Sequence, residues 1–255
     1  MEPVLMVECS VSRTAEEASV ADVELNVVNS TFMLKMFYVF AALALFSVGL
    51  SVAGKWVGAS IVMAGHTDDV TLREIVVGNN VIVAPANVIR FERQRINGVA
   101  PRLDLYFRWP QMDGYSPSTS VDFNNAGDRK NILFVSFEPA MMSRDMSGRF
   151  EPIYKSLIVE PSTAGPAGLV FHEFNESSGY LNEVLAVAER GAGMPPYVAR
   201  CLSGPSAAES LAPCERDIHM GDALSLTYRF PQELLADWKQ LDAAVIAKAE
   251  QMVKR

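Results

Sequence analysis

Histidine and cysteine are scarce here, with three of each in 255 residues. Histidines occur only at 66, 172 and 219. The stretch "HEFNE" (172–176) opens like a zinc-protease helix, but that motif needs a second His where Glu176 stands, and the segment also reads as strand. Structural zinc sites draw on closely spaced cysteine pairs, whereas Cys201 and Cys214 enclose 12 residues. The polar run "DFNNAGD" (122–128) offers Asp122, Asn124, Gly127 and Asp128, as a calcium loop would. Ala126 at its fifth position and Leu133 at its twelfth leave it a turn between strands. No G-x-G-x-x-G, phosphate loop or G-x-S-x-G occurs; Ser178 stands in "SSGYLNE". Basic charge is also in short supply: 22 Lys and Arg against 30 Asp and Glu, a net charge of −8. The densest basic cluster, Arg90, Arg93 and Arg95, has Glu92 inside it, so no nucleic-acid partner is expected. No catalytic residue, metal or cofactor is expected either.

What the chain does have is one long apolar run. Residues 36–54, "MFYVFAALALFSVGLSVAG", are 19 residues without a charge, closed by Lys35 and Lys55. As a helix they extend about 28 Å, close to the roughly 30 Å hydrocarbon core of a bilayer. Tyr38 and Trp56 lie where amphipathic rings favour the headgroup level, and Lys35 and Lys55 can snorkel outward. Buried soluble helices are rarely apolar all round for this length. A cleaved signal peptide begins with a short basic region, whereas 35 acidic residue-rich positions precede the run. The expectation is an uncleaved signal anchor over 34–56 flanked by Lys35, Lys55 and Trp56. It places a cytoplasmic tail at 1–33, a connector at 57–73 and an extracytoplasmic domain at 74–255.

Orientation is not read from flanking charge. Residues 1–35 hold two basic residues, Arg13 and Lys35, and the 20 residues after the span hold two more, Lys55 and Arg73. The cysteines decide instead. A disulfide between Cys201 and Cys214 would close a loop worth about 3 kcal/mol in the chain-entropy model, and such bonds persist in oxidising spaces. Cys9 lies alone before the span. One arrangement accommodates all three: an inner-membrane anchor with its N-terminus in the cytoplasm and its large domain in the periplasm.

The domain reads as α+β, a single mixed, largely antiparallel sheet with a C-terminal amphipathic helix. "EIVVGNNVIVA" (74–84) gives two β-branched segments around a turn. "RLDLYFRW" (102–109) alternates Leu103, Leu105, Phe107 and Trp109 with polar positions, "NILFVSFE" (131–138) is apolar on both sides, and 168–174 and 223–230 are further strands. Short helices are expected around 140–147 and 151–158. After Pro231, residues Leu234, Leu235, Trp238, Leu241, Val245, Ala249 and Met252 recur at helical spacing. In "ERDIHMGD" (215–222), Glu215, Asp217 and His219 form a polar cluster before a strand, and Arg216 or Asp217 is expected to tie the disulfide loop to the domain.

Function must come from sites, and none of these motifs assigns one. The expectation is an anchored accessory, scaffold or binding domain. Its partners are the lipid bilayer and either another envelope protein or a second copy of the chain. The alternative is a tethered envelope hydrolase using His172 and Glu173, or the Glu215–His219 cluster, as acid and base.

Overall fold

The computed structural model describes residues 30–63, 65–125 and 130–254, without side chains for 55–63. Residues 1–29 with Cys9, the side chains of Lys55 and Trp56, and Ala126, Gly127 and Asp128 of the polar turn lie outside the described residues. Two units are present, 1–56 and 57–255.

The first unit is dominated by helix α1, Ser30–Met63, which continues into the segment read as a connector. Its part Ser30–Gly54 is long and apolar enough to cross a membrane by length and composition, and Lys35 is its one charge. At 1.5 Å per residue those positions span roughly 37 Å. Over Ser30–Gly54 apolar residues fall on every face of the helix, so this part has no polar side to offer water.

The second unit is α+β and mostly antiparallel. Its strands are β1 (Leu72–Val77), β2 (Asn80–Pro85), β3 (Gly98–Val99), β4 (Leu103–Arg108), β5 (Ile132–Pro139), β6 (Ile158–Ala164), β7 (Val170–Phe174), β8 (Glu183–Ala188), β9 (Tyr197–Leu202), β10 (Cys214–Met220), β11 (Leu224–Phe230) and β12 (Val253–Lys254). They divide into a four-stranded sheet ordered β12-β2-β1-β3 and an eight-stranded sheet ordered β4-β5-β11-β10-β9-β8-β7-β6. Every pairing in the larger sheet is antiparallel, and the β1–β3 pair is parallel.

Alternation drives this arrangement. On β4, Leu103, Leu105 and Phe107 turn inward. On β11, Leu224, Leu226, Tyr228 and Phe230 share the same buried face. Ile75, Val77, Ile82 and Ala84 of the small sheet join them, so both sheets press on one core. The C-terminal helix α5 (Trp238–Met252) adds Trp238, Leu241, Val245, Ala249 and Met252 to it, and a 3-10 turn at Gln232–Asp237 precedes that helix.

The β1–β2 hairpin turns at Gly78–Asn79, with Gly78 at φ +58° where a Cβ would be strained. Asn80 then clasps the β10–β11 turn, its Nδ2 donating to the Asp222 carbonyl at 2.8 Å and its Oδ1 accepting from the Asp222 amide at 2.8 Å. A Cβ on Gly221 would meet Asn80 Oδ1 at 2.4 Å, so only glycine allows this clasp between the two sheets.

The expected helix at 140–147 is instead a run of bends and turns, in which Asp145 Oδ1 accepts from the Gly148 amide. Helical turns follow at Phe150–Tyr154 and Lys155–Leu157. Cys201 and Cys214 are direct partners in the β9–β10 ladder, 4.0 Å apart at Cα, and form a disulfide. That bond closes the base of the loop carrying the short helix α4 (Gly204–Glu209).

Candidate functional site

The outer face of the eight-stranded sheet is covered at both flanks and open in the middle. At the β4 flank, Tyr106 projects outward into a ring cluster with Tyr115, Phe123 and His66. His66 stacks on Tyr115 at 4.7 Å, and its Nδ1 lies 3.0 Å from the Tyr106 hydroxyl. Burial holds the His66 ring below its ordinary pKa, and the Arg95 charge pushes the same way. At the β8–β9 flank, Leu185, Val187 and Val198 are buried under Met146 and Tyr154.

Between these flanks, register lays polar side chains in rows. Asp104, Ser136, Thr227 and Asp217 line up across β4, β5, β11 and β10. Phe134, Arg229, Glu215 and Arg200 form a second row, and Glu138, Ser225 and His219 a third. Glu215, Asp217 and His219 reach the same face because they alternate with Cys214, Arg216 and Ile218 on β10. All three line a 190 Å³ hollow walled by Met141 and Met142. A wider groove of 570 Å³ adjoins it over β4, β5 and β11, with Ser210, Leu211 and Ala212 of the disulfide loop as one wall.

Charges on this face are largely paired. Arg200 bridges Glu215 at 2.7 Å and Glu183 at 3.3 Å, and Arg102 bridges Asp104 at 2.8 Å and Glu138 at 3.3 Å. Arg149, from the segment that covers the β8–β9 flank, pairs with Asp217. Burial raises the Asp217 pKa and the Arg149 guanidinium pulls it back. Among the described residues Arg90 and Arg229 have no ion-pair partner. Arg90 lies over the Phe134 ring at 4.6 Å, and Arg229 donates to the Ala212 carbonyl. Met141, at 91% exposure, and Met142 stand beside the hollow as adaptable apolar contacts.

Behind the face, inside the core, Arg216 is 1% exposed. Its Nε donates to Asp242 Oδ1 at 2.9 Å, and its Nη1 donates to Ser147 Oγ at 2.9 Å and to the Val198 carbonyl at 2.8 Å. The Tyr228 hydroxyl donates to the same Asp242 oxygen at 2.8 Å, and Arg190 pairs with Oδ2. This network joins β10, β11, α5 and the 140s segment, whereas the disulfide loop is held by Arg229 donating to the Ala212 carbonyl.

The residues expected as acid and base come together only in part. His172 and Glu173 are consecutive on β7 and point to opposite sides of the sheet. Glu215 and His219 are four residues apart on one strand, about 13 Å, too far to share a proton, whereas Asp217 stands between them on the same face and lines the same hollow. Asp222, the last polar residue of "ERDIHMGD", accepts at its carboxylate from Asn79 Nδ2 at 3.0 Å, at the β10–β11 turn. Both sulfurs of residues 201 and 214 are committed to each other. Arg149, Arg190 and Asp242 escaped the sequence reading, although their contacts organise this region.

A separate cavity of 840 Å³ opens at the other end of the domain, beyond β7 and β8, lined among others by His172, Arg190 and Trp238.

No protein-family model matches the chain, and no curated protein matches it. Among solved structures, an immunity protein of the Stenotrophomonas maltophilia type IV secretion system, Smlt3025, is similar with a TM-score of 0.45 at 15% identity, covering 75% of this chain and 96% of its own. The iron-regulated outer membrane lipoprotein FrpD of Neisseria meningitidis has a TM-score of 0.39 at 10% identity, covering 73% of this chain and 98% of its own. At such TM-scores neither likeness says what this chain binds.

Proposed function

We propose that this chain is a single-pass, membrane-anchored binding protein that works without catalysis and holds another envelope protein on the open face of its larger sheet. The observation that carries this reading is the uncovered centre of that face, where three rows of polar side chains run between two packed flanks. A surface meant only for water needs neither a fixed grid of ion pairs nor exposed methionines beside it. Recognition surfaces use both, charge for register and adaptable apolar side chains for contact. Helix α1 supports anchoring, and the Cys201–Cys214 bond supports an oxidising compartment for the domain.

The test is affinity purification of the full chain in mild detergent, paired with a Thr227→Trp variant. Thr227 sits at the centre of the face and points away from the core, so a large ring there obstructs docking and leaves the fold intact. A stoichiometric partner recovered with the parent chain and lost with the variant supports the reading. Recovery of monomer or self-associated chain alone at every expression level overturns it, as does a partner that the variant keeps.

A further inference from the structure

The 840 Å³ cavity lies on the side of β7 and β8 where the first residues of α5 and the 189–196 loop meet. Its volume falls within the roughly 300–1,000 Å³ range of small-molecule pockets. Two independent features mark its inner wall. The first is an imbalance of charge. Arg216 and Arg190 both contact one carboxylate, Asp242, itself 4% exposed, so two guanidinium groups meet at one direct carboxylate partner. Arg216 is sealed in the core, whereas Arg190 reaches the cavity. Burial of Arg190 and the nearby Arg216 charge disfavour its protonated form, and the Asp145 carboxylate acts the other way.

The second feature is a histidine ring set among apolar groups. His172 Nδ1 is buried and has no hydrogen-bond partner among the described residues, and the nearest carboxylate, Glu160 Oε1, is 3.9 Å away. Nδ1 is closed off on the side of Glu160, which does not line the cavity, so His172 offers the cavity the rest of its ring. His172 lines the same cavity as Arg190. The remaining wall is apolar: Phe150, Val170, Val187, Met194 and Trp238. The charged rim is mixed: Glu151 is paired to Lys155, and Glu189 and Lys239 add one charge of each sign.

We infer that this cavity is a binding site for a small amphipathic carboxylate, its anionic end at Arg190 and its apolar body against Trp238, Phe150, Met194 and the His172 ring. This site is independent of the open sheet face and of any partner held there.

The test uses the full chain in lipid nanodiscs and three probes: phenylacetate, its neutral isostere phenylacetamide, and inorganic phosphate. Binding is read by titration calorimetry. Phenylacetate is expected to saturate with a Kd near or below about 1 mM, with phenylacetamide and phosphate each at least tenfold weaker. Arg190→Gln is expected to bind acid and amide equally. Because Arg190 also touches Asp242, Met194→Trp serves as the second variant. It fills the mouth from an exposed position away from the network, and should weaken phenylacetate at least tenfold with an unchanged melting temperature. Equal affinity for acid and amide overturns the anionic end. Phosphate binding as tightly as phenylacetate overturns the apolar body. Absence of saturable binding by any probe, or full binding by Met194→Trp, overturns the site.

Discussion

Replacing Asp242 by Asn keeps the side chain's shape and removes the carboxylate that one buried and one half-buried guanidinium group contact. In the parent chain Asp242 accepts from Arg216 Nε at 2.9 Å and from the Tyr228 hydroxyl at 2.8 Å, and pairs with Arg190. In Asp242→Asn the Tyr228 and Arg216 contacts have only a neutral oxygen to meet, and two positive charges face each other in the core. Breaking a buried ion pair by removing one partner costs about 3–5 kcal/mol. At roughly 2–4 °C per kcal/mol for a domain of this size, the melting temperature should drop by roughly 6–20 °C. The assay is thermal unfolding of the full chain in detergent, followed by near-ultraviolet circular dichroism, which reports the tertiary packing of the domain. Glu151→Gln is the control, since it removes an exposed i,i+4 pair with Lys155 and should cost no more than about 0.5 kcal/mol. A triple variant, Arg190→Met, Arg216→Met and Asp242→Leu, replaces the ions with apolar groups and should recover part of the loss. If Asp242→Asn melts with Glu151→Gln, the network does not organise the core and the reasoning fails.

Two further outcomes are expected. Cys201→Ala combined with Cys214→Ala should lower stability by about 3 kcal/mol, and dithiothreitol should lower the melting point of the parent chain but not of the variant; equal melting with and without reductant would show that the bond contributes nothing. His66 supplies a pH dependence. Burial, reinforced by Arg95, depresses its folded pKa, so the unfolded chain takes up a proton that the folded chain refuses. Stability is therefore lost as pH falls from about 6.5 toward the lower folded value, and His66→Gln should flatten that fall between pH 7 and 5, measured by melting temperature; identical slopes in both chains would refute it.

Much of the fold is legible because local patterns carry it. The charge-free run at 36–54 needs no tertiary context to be read as a long apolar helix. Parity assigns Leu103, Leu105 and Phe107 to the core, and the α5 stripe is visible at helical spacing. Parity also puts Arg216 on the buried side of β10, between Cys214 and Ile218. Its partner is invisible locally, because Asp242 lies 26 residues away on a helix whose pattern reads as apolar stripe and polar remainder. The division of strands between two sheets is equally nonlocal, as β4 pairs with β5 and β5 with β11 across long stretches of chain. Strand β8, "EVLAVA", shows no alternation because both its faces are covered, by the core and by Met146 and Tyr154. At the candidate site the same rule holds. Glu215, Asp217 and His219 were readable as a cluster from spacing, whereas Arg149, 68 residues from Asp217, and the methionine wall were not.

The most direct test is the sidedness of the folded domain. Spheroplasts are treated with external protease and with a membrane-impermeant thiol reagent, before and after reduction. A domain held outside by helix α1 should be digested from intact spheroplasts, and Cys201 and Cys214 should label only after reduction. A domain protected until lysis, with both thiols free in cells, would contradict an anchored binding protein facing the cell exterior.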